Sequence, residues 1–365
     1  MAITFLEYLS ADRLPLPLLV EGGNVVINGK AANDLDLKKF DRDELTNAIM
    51  QGLIAINSSF HDETGLYIWK PSVLKDGKVF SGSTKHFFDS NISTEKFLKH
   101  KQSVGDIDVM VDVNLKDRIT NFIKNNNNLS FSGLSLVGSK GAGDQLITLW
   151  KLQDFDLNVQ IDLEFVEYAK DKPTTWSQFS HSSAFADIEI GIKGAFHKLL
   201  MTSLLGHKKT ETILQLKTKQ KEIFAGTHAL SIKGMRKKFE KIGVQDGKPL
   251  VKLIDSKDFN TNFYDIMKEI FGKDVSEADV ELFWSFKGML KLIKRFLDKH
   301  ETRKVLNDFV DRLFGEPAQG LYRADPNRDL DEKMVALKYA QEKLGISFDE
   351  DKLKRMQTDF YTRYK

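Results

Sequence analysis

The stretch Val104-Gly105-Asp106-Ile107-Asp108-Val109-Met110-Val111 constrains the fold of this chain more than any other. Two carboxylates two residues apart, followed by an apolar run, read as a β-strand. Positions i and i+2 of a strand share a face. Asp106 and Asp108 then project together, while Ile107, Val109 and Val111 turn to a core. Like charges on one face repel unless something positive sits between them. A divalent cation is the usual answer, because hard carboxylate oxygens suit Mg²⁺. A solvated strand end beside a turn carries the same pattern, so its meaning rests on the rest of the chain.

At 365 residues the chain is long enough for two or three domains and a sizeable core. It contains no cysteine, which excludes disulfides, thiolate metal sites and a cysteine nucleophile. No apolar run approaches the roughly 18 residues of a membrane span. Glu7 and Asp12 lie where a signal peptide would be basic and then apolar. The expectation is a cytoplasmic protein without a membrane partner. Formal net charge is only +2, but residues 191–305 hold 24 Lys+Arg against 14 Asp+Glu. An acidic part joined to a basic part suits an anionic substrate held between metal and basic surface.

Ahead of the aspartates, Leu18-Leu19-Val20 and Asn24-Val25-Val26-Ile27 are strand-like, with Glu21-Gly22-Gly23 and Asn28-Gly29 as turns. Asp41–Ser58 reads as a helix capped by Asp41 or Asp43, with Leu45, Ile49, Leu53 and Ile54 on its apolar stripe. Leu66–Trp69 and Lys78–Phe80 are candidate strands. The second leads into Ser81-Gly82-Ser83-Thr84-Lys85 and then a helix. That arrangement favours phosphate, because glycine lets the backbone approach a ligand and helix N-terminal N–H groups attract anions. An ordinary turn has the same composition. After the aspartates come a helix from Asn114 to about Lys124 and a strand at Leu134–Val137. Gly138–Asp144 is a glycine-rich hairpin loop lacking the Gly-Lys-Ser/Thr ending of a phosphate loop. In Val159-Gln160-Ile161-Asp162-Leu163-Glu164-Phe165 the alternation is clean, with Gln160, Asp162 and Glu164 on one face.

Gly82-Ser83, Asp106-x-Asp108 and an apolar-flanked Asp162 therefore stand in a fixed order. Together they resemble the DNA polymerase β-type nucleotidyltransferase superfamily, over roughly residues 65–200, and its minimal, template-independent members in particular. The segment between Gly-Ser and Asp-x-Asp is longer here than in minimal members. The resemblance implies an α+β fold: a mixed-sheet, palm-like catalytic domain over residues 1–190, then a mainly helical domain over 191–365, basic in its first part. It implies an enzyme that binds an NTP such as ATP and moves its NMP to an acceptor hydroxyl, RNA being the favoured acceptor. A protein or small-molecule acceptor, or a non-catalytic nucleic-acid-binding protein on the same scaffold, is the alternative. Asp106, Asp108 and Asp162 would hold two Mg²⁺ ions, or Mn²⁺, with Asp162 assisting removal of the hydroxyl proton. Glu164 shares the face of Asp162 and rivals it as the third metal ligand. Gly82 and Ser83 would bind the β and γ phosphates. Lys85 belongs to the same segment, and Lys193 or Lys198 of a later helix would reach the triphosphate.

From Gly191 onward the pattern reads as helical. Ile192, Phe196, Leu199, Leu200 and Leu204 form one apolar face, with Lys193, His197 and Lys198 off it. Residues 207–241 are lysine-rich, consistent with nucleic-acid backbone contact or with a solvated charged face. The large apolar residues of 261–314 read as a helical core.

Overall fold

The structure is a computed structural model. It describes residues 25–98, 103–126, 129–181, 192, 194–207, 210–215, 221–231, 233–245, 248–255, 258–272, 274–315, 326–348, 351, 353–356 and 358. The expected strand at Leu18–Val20, and Lys193, lie outside these residues.

Helix α1 (Arg42–Thr64) begins where Asp41 accepts hydrogen bonds from the amides of Asp43 and Glu44, and stops at Gly65 in the left-handed conformation. A single-turn helix, α2 (Thr84–Phe87), follows the Gly82-Ser83 turn. Strand β1 (Ile107–Asp112) then leads through a short 3₁₀ turn into α3 (Lys116–Asn125). Strands β2 (Ser130–Phe131), β3 (Leu134–Ala142), β4 (Gln145–Leu152) and β5 (Leu157–Val166) complete a five-stranded sheet of order β1-β5-β4-β3-β2. Only the β1–β5 pair is parallel, so the sheet is mixed. Helix α4 (Thr175–His181) closes this half of the chain.

Alternation along the sheet separates two faces. Ile107, Val109 and Val111 of β1 and Val159, Ile161, Leu163 and Phe165 of β5 join a core with Leu45, Ile49, Leu53 and Phe60 of α1 and Ile119 and Phe122 of α3. The opposite face carries Asp108 and Asp162.

Three local expectations give way. Lys78–Phe80 is turn with a single bridge, Phe80 to Val109, and not a strand. Leu66–Trp69 is not a strand: the side chain of Asn57 pairs with both the N–H and the C=O of Trp69, at 3.0 and 2.9 Å, and supplies what a neighbouring strand would. Gly138–Asp144 is not mostly loop. β3 runs through Gly138 and Lys140 to Ala142, with a register irregularity between Leu136 and Gly138 that leaves Val137 without a partner in the ladder.

The second half is not mainly helical at its start. After α5 (Gly194–His207), strands β6 (Thr210–Gln215), β7 (Lys221–Ser231), β8 (Gly234–Gln245) and β9 (Lys248–Asp255) form an antiparallel meander. Where the structure describes it, the lysine-rich stretch from Thr210 to Lys241 is thus strand, and Ile223 and Phe224 interrupt its charges in the sequence. Helices α6 (Phe263–Phe271), α7 (Val280–Phe283), α8 (Phe286–Phe296), α9 (Lys299–Gly315) and α10 (Pro326–Leu344) follow. They build a second core with α5, in which Phe196, Leu200, Phe283, Phe286 and Phe309 are buried. Trp176 and Phe179 of α4 belong to this second core, so α4 joins the two halves. Among the described residues, no helix is long and apolar enough to cross a membrane.

Candidate metal centre

Strand pairing builds the site. In the parallel β1–β5 ladder, Asp108 stands directly opposite Asp162. Paired residues of neighbouring strands share a face, so the two carboxylates are side by side. Asp106 precedes β1 by one residue and reaches the same place. One carboxylate oxygen from each of Asp106, Asp108 and Asp162 falls within 4.8 Å of the others. Asp106 and Asp162 are buried and Asp108 is half-buried.

Such a cluster is electrostatically costly. Burial, and after it the charge of Asp106, pushes the Asp162 carboxyl up to about 8. Gln160 opposes this by donating its amide to both Asp162 oxygens, at 3.1 and 3.0 Å. An all-oxygen set of three converging carboxylates matches the ligand preference of Mg²⁺ or Mn²⁺, and a bound cation offsets the repulsion that raises Asp162. The donor set therefore fits a divalent metal.

The Gly-Ser turn is fastened to the rim of this cluster. Val79-Phe80-Ser81 runs antiparallel to β1 on its free side: Met110 N donates to Val79 O at 2.7 Å and Ser81 N to Asp108 O at 3.2 Å. The buried Thr84 hydroxyl accepts from Asp108 N at 2.9 Å and donates to Asp106 O at 3.3 Å, holding the Asp-x-Asp backbone from the side. Gly82 has a φ of +54°, and a Cβ there would stand 2.5 Å from Asp108 Oδ2. Only glycine permits both that conformation and the close approach. Its N–H donates to His181 O at 3.0 Å, so the turn is also tied to α4. The helix expected beyond Ser83 is a single turn, and the Gly82 N–H is directed at the protein. Ser83 is thereby left as the turn's candidate phosphate contact.

The remaining sequence candidates fall in different places. Lys85 lies on α2 beside the turn, its pKa lowered by burial against the opposing charge of Asp89. Lys198 lies half-buried on α5. Glu164 shares the face of Asp162 but is not among the three converging carboxylates. Its Oε2 accepts from Ser81 Oγ at 2.5 Å and its Oε1 from Gln145 Nε2 at 3.4 Å. Asp112, farther along β1, accepts from Asn114 N and caps the 3₁₀ turn. His197 is not off the core face of α5; it is buried, with its Nε2 at 3.1 Å from Phe283 O.

Sequence reading passed over Ser81 and Thr84. Both flank Gly82-Ser83, and a hydroxyl-rich Ser-Gly-Ser-Thr segment after the apolar pair Val79-Phe80 was the available signal. Comparison with protein-family models, with curated proteins and with solved structures finds no match to this chain.

Proposed function

We propose that the chain is a nucleotidyltransferase that moves a nucleoside monophosphate from an NTP to a hydroxyl of an acceptor, RNA being the favoured one. The observation that carries this reading is the pairing of Asp108 with Asp162 across a parallel ladder, with Asp106 converging on them and Gly82-Ser83 at their edge. That order of parts resembles the DNA polymerase β-type superfamily. Mg²⁺ or Mn²⁺ held by Asp106, Asp108 and Asp162 would neutralise the triphosphate and acidify the acceptor hydroxyl. In the transfer, the hydroxyl oxygen bonds to the α-phosphorus, the bond to the bridging oxygen breaks, and pyrophosphate leaves. Asp162 would assist removal of the hydroxyl proton, as the resemblance implies. Ser83 and Lys85 would contact the β and γ phosphates. The balance of +10 over residues 191–305 favours a polyanionic acceptor. A cytoplasmic setting, rich in NTPs and Mg²⁺, fits this chemistry.

The test is incubation with labelled NTPs, Mg²⁺ or Mn²⁺ and a mixed RNA pool. The wild-type protein is expected to transfer label to RNA, and the Asp106→Ala/Asp108→Ala variant to lose at least about a hundredfold of that rate. Equal, negligible incorporation by both proteins defeats the proposal. Label that migrates with protein or as a small product keeps the chemistry and replaces the acceptor.

A further inference from the structure

Glu164 is the fourth carboxyl on the functional face and the one the cluster does not use. It lies two residues beyond Asp162 on β5, opposite Met110 of β1 and Gln145 of β4. It is 6% exposed, and a carboxylate so buried needs donors. The donors it has are protein groups: the hydroxyl of Ser81, fully buried, at 2.5 Å, and the amide of Gln145 at 3.4 Å. A hydroxyl-to-carboxylate bond of this kind is charge-assisted and stronger than a neutral one.

Ser81 is the residue from which the Gly82-Ser83 turn departs. Its backbone N–H is fixed to Asp108 O of β1 and its side chain to Glu164 of β5. The turn is thus held by both strands that carry the aspartates. The next anchors along it are Gly82 N on His181 O and the Thr84 hydroxyl on the Asp106–Asp108 backbone. Of these, only the Ser81–Glu164 bond ties the turn to the strand of Asp162.

We propose that Glu164 is a positioning residue and not a metal ligand: acting through Ser81, it sets the distance between the Gly82-Ser83 turn and the Asp108–Asp162 pair. This assignment rests on the nucleotidyl-transfer reading of the site. Positioning of this type acts on nucleotide binding and leaves the intrinsic affinity of the aspartates for metal nearly unchanged.

The experiment measures two affinities on the full chain, Mn²⁺ alone and ATP in saturating Mg²⁺, by calorimetry, with thermal midpoints recorded for every variant. Ser81→Ala and Glu164→Ala are each expected to weaken ATP binding about tenfold. The double variant should be no weaker than either single one, since both remove the same bond. Glu164→Gln, which still offers Ser81 an acceptor, should recover ATP affinity and keep Mn²⁺ affinity within about threefold of wild type. Asp162→Asn is the contrast and should lose Mn²⁺ affinity by more than about tenfold. A Glu164→Gln protein that loses Mn²⁺ as Asp162→Asn does would make Glu164 a ligand and overturn the assignment. Fully additive losses of ATP affinity would separate Glu164 from Ser81 and overturn it as well. If Glu164→Ala does not fold, Ser81→Ala and Glu164→Gln carry the same comparison. Absence of Mn²⁺ binding in the wild-type protein defeats the nucleotidyl-transfer reading itself. Non-additive thermal midpoints in that case mark the Ser81–Glu164 bond as a stabilising contact only.

Discussion

His197 shows how one buried side chain ties stability to pH. It sits in the second core, edge-on to Phe179 at 6.1 Å between ring centres, with Nε2 at 3.1 Å from Phe283 O. A carbonyl only accepts, so Nε2 carries the proton and the ring is the neutral Nε2–H tautomer. Burial lowers its pKa to about 4; the bond to Phe283 opposes this and the charge of Lys198 adds to it. Between about pH 6.5 and 4 the unfolded chain binds a proton that the folded chain refuses, so this contribution is complete above 6.5 and is lost as pH falls towards 4. The shift corresponds to about 3 kcal/mol across that window. Urea unfolding of the wild type and of His197→Gln, compared at pH 7 and pH 4.5, should show the wild type losing about 2 kcal/mol more than the variant. An imidazole that titrates near 6.5 in the folded protein by NMR would contradict this account.

At the scale of elements, the segment that follows the Gly82-Ser83 turn is held by a helix distant in sequence. The Arg42 guanidinium, at the start of α1, is buried and donates to four carbonyls: Phe87 at 2.9 Å, His86 at 2.9 Å, Asp89 at 2.8 Å, and Ile92. It also lies 5.5 Å from the centre of the Phe97 ring. These contacts fix the end of α2 and the loop beyond it, and so hold Thr84 against the Asp-x-Asp backbone. Arg42→Met leaves several buried carbonyls without donors and should cost about 3 to 5 kcal/mol in urea unfolding. Hydrogen exchange in the variant should accelerate at Phe87, Phe88 and Ile92 before it does so in β5. Uniform acceleration would show that Arg42 braces the whole domain and not this loop. No sequence pattern announced Arg42, because an arginine in the first turn of a helix is ordinarily solvated. The sheet residues were legible for the opposite reason. Alternation in β5 and the apolar run of β1 state which side is buried, and the helix stripe of Leu45, Ile49 and Leu53 does the same for α1. The Asp106–Asp108–Asp162 grouping followed from that alternation together with the parallel register, which sequence does not give. Glu164 could not be told from Asp162 by spacing, since both share one face; the Ser81 hydroxyl that engages it comes from 83 residues away. The meander of β6–β9 was hidden by its lysines, although Lys221–Ser231 contains β-branched and aromatic residues at strand spacing and Asp246-Gly247 is a hairpin signal.

Among the described residues there are two large cores and a small one of Ile27, Ala32 and Leu149, and α4 runs from the second core to the Gly82-Ser83 turn of the first half. Trp176 and Phe179 of α4 are buried in the second core, where Trp176 stacks on Phe263 at 5.3 Å and its Nε1 donates to Ser231 O at 3.0 Å. His181, at the end of the same helix, holds Gly82 through its carbonyl. Among the described residues, α4, seven residues long, therefore links the packing of the second half to the candidate metal centre. A chain truncated after His181 would keep the five-stranded sheet and its three aspartates but expose the apolar side of α4. Each such aromatic gives up about 1.5 to 3 kcal/mol of burial. The truncated protein should bind an apolar dye and self-associate, and Trp176→Ser/Phe179→Ser in the truncated chain should suppress both. Its Mn²⁺ affinity should fall below that of the full chain, because α4 then no longer fixes the carbonyl that holds Gly82 against Asp108. Equal Mn²⁺ affinity in the two lengths would show that β1 and β5 organise the carboxylates alone. The second half would then act on the site only through whatever acceptor it binds.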